Sequence, residues 1–228
     1  MLTAELLLMY HSPNEGKVAK MANSKQMAQA IAQVFDVQQV SAEIISRTLM
    51  ETGLRTNGGR GRGAFQMTGR DFLNVSIALA SGLGMREAPA FVESVVHLPL
   101  TGGSLFRDGN PIWEAPTLRD GAIPLVARLQ PKPITGMEVF ATLGPAVAGW
   151  IDGMMEGLFA WSGTSSIKLE ISNIGPTADF EFKSGDDHLV LTYAPEGYDG
   201  STPAWERRTI IRDPVLRQFA ALIRGGRT

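Results

Sequence analysis

The chain contains no cysteine, and only 3 of its 228 residues are histidine. The first absence excludes disulfides and thiolate metal sites and makes a reducing compartment, the cytoplasm, the expectation. The histidines, His11, His97 and His188, stand on distant segments, so no ligand pair arises from local spacing. There is no Gly-x-Ser-x-Gly elbow, no phosphate-binding P-loop and no His-Glu-x-x-His pair. With neither a nucleophile nor a ligand set in view, no enzymatic activity, cofactor or metal is expected. Asp186-Asp187-His188 reads as turn chemistry, because neighbours on a strand point to opposite faces. His97 reads as a packed or capping residue. No apolar run approaches the roughly 20 residues needed to cross a bilayer, so no membrane partner is expected. Leu6-Leu7-Leu8-Met9-Tyr10 is too short for a signal-peptide core and has no basic residue ahead of it. Residues 1–20 read either as an extension ahead of a more natural start at Met21 or as an N-terminal strand.

What the chain does have is enough apolar material for a core, at 44% hydrophobic and 19% charged residues. Its net charge of −2 hides an asymmetry: residues 17–86 carry 9 Lys/Arg against 4 Asp/Glu, and residues 87–228 carry 12 against 17. A basic front part joined to an acidic remainder suggests two modules, of which one meets polyanions. The expected division is residues 21–86 and residues 87–228.

Ser24 can cap a helix whose apolar residues, Met27, Ala30, Ile31, Val34 and Phe35, follow the i, i+3, i+4, i+7, i+8 stripe. Asp36-Val37 supplies a turn. A second helix is expected from about Gln39 or Ser41 to Thr52, with Val40, Ile44, Ile45, Thr48 and Leu49 inward and Gly53 as its stop. Thr68-x-x-Asp71 resembles a capping box opening a third helix up to Gly82. Pro89 to Leu98 reads as a helix, residues 102–133 as irregular chain with short strands, and Ile123 to Leu129 as a candidate strand. Glu138 to Trp161 reads as a helix interrupted at Gly144-Pro145, with Gly149, Gly153 and Gly157 lining a close-packing face. Beyond it, Ile167/Leu169/Ile171, Phe180/Phe182 and Leu189/Leu191/Tyr193 alternate as strands, with a turn at residues 184–187 and a fourth strand at Trp205 to Ile211. Asp213-Pro214 starts a last helix.

Between the second and third helices lies Arg55-Thr56-Asn57-Gly58-Gly59-Arg60-Gly61-Arg62-Gly63, a glycine-arginine loop without an acidic residue. Cations near phosphates supply much of protein–DNA affinity, and a helix in the major groove reads base edges. Gln38, Gln39, Ser41, Ser46 and Arg47 are the candidate readers on the second helix. Arg55, Arg60 and Arg62 would follow the phosphates or the minor groove, and Arg70 would add a backbone contact. Ala30 to Val37, Ile45-Ser46-Arg47 and Glu51 to Arg55 together resemble the winged helix-turn-helix of bacterial transcription regulators. The run from Gly59 to Asn74 is similar to proteins of bacterial prophages and mobile elements. Together these cover about a third of the chain; Asp36 stands where those regulators commonly have glycine.

The fold class expected is α+β: an N-terminal winged helix-turn-helix, then a helical segment and a small antiparallel sheet with a C-terminal helix. The resemblance implies a DNA-binding transcription regulator of phage or mobile-element type, acting on double-stranded DNA. A small reader domain gains affinity by doubling its basic surface, so a homodimer is expected. The C-terminal module would serve self-association or a protein partner. The alternative is an interaction or structural protein with no nucleic-acid role.

Overall fold

The computed structural model describes residues 24–57, 67–115, 142–156, 166–172, 175–184, 186–198, 208–212, 214–215 and 218–219. Five helices and six strands run in the order α1 (Ser24–Phe35), α2 (Gln39–Glu51), α3 (Gly69–Ser81), α4 (Ala88–Val96), β1 (Leu100–Arg107), β2 (Asn110–Ala115), α5 (Leu143–Glu156), β3 (Ser166–Ser172), β4 (Thr177–Ser184), β5 (Asp187–Tyr193) and β6 (Arg208–Arg212). The protein is α+β. The sheet is antiparallel throughout, with strand order β2-β1-β5-β4-β3-β6.

Local chemistry sets the helix ends. α2 stops in a Schellman turn: Gly53 at φ +76° donates to the Met50 carbonyl, and Leu54 donates to that of Leu49. Leu49 and Leu54 are both buried, the apolar contact that accompanies this motif. The Thr68–Asp71 capping box opens α3, and Gly82 closes it at φ +65°. His97 caps α4, its Nδ1 lying 2.8 Å from the Glu93 carbonyl oxygen.

The sheet alternates as its sequence period requires. Leu169 lies between Phe180 and Ile211, and Phe180 is paired onward with Leu191, all four buried. That apolar face shares one core with the helices, from Met27 through Phe72, Val92 and Ile151 to Phe219. The two sequence modules are therefore packed together: α3 lies against α5, and Thr209 on β6 donates to the Ala80 carbonyl. Short helical stretches at Pro214-Val215 and Gln218-Phe219 fall within the expected last helix, and the Phe219 ring stacks on Phe72 with centroids 3.7 Å apart.

Several expectations are corrected. The β1–β2 hairpin precedes α5, so the sheet does not simply follow the helices; Gly102 and Gly103 interrupt the alternation that would have revealed β1. α5 is not broken at Gly144-Pro145. It begins there, and a proline in the first turn removes no donor the helix uses. Two glycines permit close packing of helices, Gly144 against Val96 and Gly69 against Ala148 and Asp152. Gly157, residues 1–20 and Ile123–Leu129 lie outside the described residues. Among the described residues, no helix is long and apolar enough to cross a membrane.

The outward face of the sheet is ionic. Glu170 on β3 meets Lys168 at 2.8 Å and Arg208 on β6 at 2.5 Å, and Glu181 on β4 meets Lys183 at 2.6 Å and His188 at 2.9 Å. The hydrogen bonds from Lys168 and Arg208 hold the Glu170 carboxyl below its ordinary value of 4.5, and Lys183 does the same for Glu181. A carboxylate with a depressed folded value stabilises the fold above the unfolded value and loses that contribution as pH falls through the folded value. The stability of Glu170→Gln is therefore expected to fall below wild type by about 0.5–1 kcal/mol at pH 7 and to converge with it at an acidic pH below the depressed folded value of the carboxyl. Urea titrations at the two pH values check this; an equal deficit at both would show that the carboxylate's charge is irrelevant.

Candidate nucleic-acid interface

Helices α1 and α2 are joined by three residues, 36–38. Asp36 takes φ +50°, the left-handed conformation for which glycine is the usual choice and which aspartate tolerates better than most residues. Val37 then donates its amide to the Ala32 carbonyl at 3.0 Å, and Ala32 is small and buried where the helices approach. Asp36 thus fills the position where the resemblance expects glycine.

Gln38 begins α2 at φ −63°, ψ 135°. Its carbonyl accepts from Ser41 and Ala42, while its side chain makes no cap bond and is exposed. Gln39 is exposed, its Nε2 donating to Glu43 Oε1 at 2.7 Å. Ser41 and Arg47 are exposed. Neither Arg47 nor Arg70, which is exposed in the first turn of α3, forms an ion pair among the described residues.

Two candidates turn out to point inward. Ser46 is 6% exposed, because the buried seam of α2 is Ala42, Ile45, Ser46 and Leu49. Arg55 is also 6% exposed, because the Schellman turn folds the chain back over α2. Its guanidinium donates to the Ser46 carbonyl oxygen and to Met67 Sδ, both at 3.4 Å. Burial pulls the Arg55 value down and the nearby Asp71 carboxylate opposes that shift. These two residues brace the base of the loop and are removed from the candidate DNA contacts. Arg60 and Arg62 lie outside the described residues.

The rotation of α2 also exposes Val40 and Ile44, which were expected inside, at 60% and 39%. The signal that distinguishes the true seam is a small residue, Ala42, placed three before Ile45 and seven before Leu49. The sequence does not show a second role of Asp71. Besides capping α3, its carboxylate accepts from the Thr56 amide at 2.6 Å and the Thr68 amide at 2.9 Å, joining both stems of the glycine-arginine loop. Among the described residues, no group of three or more potential ligands is arranged to hold a metal.

No protein-family model matches this chain, and neither a curated protein nor a solved structure is significantly similar to it.

Proposed function

We propose that this chain is a DNA-binding protein, a transcription regulator of phage or mobile-element type, with α1 and α2 as a helix-turn-helix whose second helix enters the major groove. The observation that carries the reading is the outward side of α2: Gln38 and Arg47 are exposed, and neither the Gln38 cap position nor an ion pair to Arg47 engages these side chains. A reader helix uses its N-terminal residues on base edges, with glutamine suited to adenine and arginine to guanine. Gln38, Gln39, Ser41 and Arg47 form the reader, and Arg60, Arg62 and Arg70 supply phosphate contacts, with the glycine-arginine loop as the wing. A homodimer in the cytoplasm, associating through the C-terminal part, would double this surface on double-stranded DNA.

Arg47→Ala is expected to weaken binding to duplex DNA by about tenfold or more, as loss of a bidentate base contact would. Arg60→Ala with Arg62→Ala should weaken binding to all sequences and lower the slope of log K against log salt by about 2. Fluorescence anisotropy across a salt series reads both. An unchanged affinity and slope in both variants would overturn the proposal.

A second reading, a protein-interaction module without a nucleic-acid role, is favoured by the exposed Met85 (52%) and Leu83 beside a shallow groove lined by Thr48, Pro89 and Ala90. The same titration separates the two, since that module has no salt-dependent duplex affinity.

A further inference from the structure

The outward stripe of α2 holds two apolar side chains one helical turn apart, Val40 and Ile44, with Arg47 three positions further on the same side. Exposed polar groups, Gln38, Gln39 and Glu43, surround them. We propose that Val40 and Ile44 contact the C5-methyl groups of thymines in the major groove, so that the preferred duplex holds thymines beside the base read by Arg47. This rests on the reading of α2 given above.

Three considerations commit the pair to this occupant. Among the groups that base pairs present in the major groove, the thymine methyl is the apolar one, and exposed aliphatic side chains are its natural complement. Four residues advance about 6 Å along a helix axis, and two base-pair steps advance about 6.8 Å, so a helix lying along the groove sets Val40 and Ile44 over bases two steps apart. A stable protein interface buries about 800 Å² on each partner. The apolar surface on this stripe is two side chains, with the charged Glu43 and Arg47 on either side of Ile44. Glu43 is tied to Gln39, which occupies part of its acceptor capacity and orders the polar border of the pair.

The test uses the 20-base-pair duplex most enriched by the wild-type protein from a random pool, and the same duplex with every thymine replaced by uracil. That replacement deletes only the methyl groups. Each contacted methyl is expected to be worth about fourfold in affinity, about fifteenfold for the pair. In Val40→Ala with Ile44→Ala, binding of the thymine duplex should fall to that of the uracil duplex, with the melting temperature of the protein unchanged. Equal binding of the two duplexes by wild type, or a thymine preference that survives in the variant, overturns this proposal and leaves duplex recognition standing. Failure of any duplex to enrich overturns both. A wild-type dimer that becomes monomeric in the variant, with no thymine preference in either, assigns the stripe to a second copy of the chain and overturns the proposal.

Discussion

Asp71→Ala is expected to destabilise the protein by about 3 kcal/mol, from the loss of two backbone hydrogen bonds, a helix cap and the anion that acts on the buried Arg55. The residue is fully buried, and its carboxylate accepts from the Thr56 amide at 2.6 Å, the Thr68 amide at 2.9 Å and the Thr68 hydroxyl at 3.0 Å. Alanine leaves two backbone N–H groups without that acceptor and α3 without its capping box. It also strips the buried Arg55 of the anion that offsets its desolvation. A part-buried amide that loses its acceptor costs about 1 kcal/mol and the lost cap about 1 kcal/mol more, which with the uncompensated Arg55 charge reaches that value. Arg55→Met added to Asp71→Ala should recover part of the loss, because it removes the uncompensated charge. Urea unfolding of the two single variants and the double variant measures the coupling. A loss below about 1 kcal/mol for Asp71→Ala would show that water or neighbouring groups replace the carboxylate.

Gly69→Ala is expected to cost about 3 kcal/mol, at the upper end for overpacking. A methyl group there would collide with the Ala148 carbonyl oxygen and lie 2.9 Å from Asp152 Oδ1 and 3.0 Å from the Asp152 amide nitrogen. Two of those atoms belong to the backbone of α5 and cannot rotate away. The glycine amide also donates to Asp152 Oδ1 at 2.5 Å, so moving the helices apart breaks that bond as well. Gly84→Ala is the control: its nearest neighbour would be Glu87 Oε2 at 3.9 Å, and its stability should stay within about 0.5 kcal/mol of wild type. Thermal denaturation of the two variants decides the matter. Equal stability would mean that α5 shifts freely along α3.

Much of the scaffold was readable because its signals are local. The apolar stripe of α1, the stop at Gly53, the Thr68–Asp71 box and the alternation of β3, β4 and β5 depend on residues a few positions apart. The turn between β4 and β5 likewise follows from its own residues, with Ser184 paired to Asp187. α2 was misread because two stripes compete along it. Val40, Ile44 and Thr48 are bulkier, yet the seam with Ala42 wins because a small residue lets α2 approach its neighbours. Arg55 was misread because its orientation depends on the Ser46 carbonyl and on Met67, a partner on the far side of the loop. Of the candidate readers, Gln38, Gln39, Ser41, Arg47 and Arg70 are exposed, whereas Ser46 and Arg55 are not. Nothing in a run of Gly, Arg and Thr states which guanidinium turns inward.

The rim strand β6 has a further consequence. Among the described strands it pairs only with β3, and it shows Arg208, Ile210 and Arg212 outward. If two copies joined rim to rim about a two-fold axis through Ile210, each Arg208 would face the other copy's Arg212. Like charges directly opposite are unfavourable, and a charged border is a known defence against sheet extension. In that register the facing guanidinium groups disfavour rim-to-rim extension of the sheet, although Glu170 offsets part of the Arg208 charge.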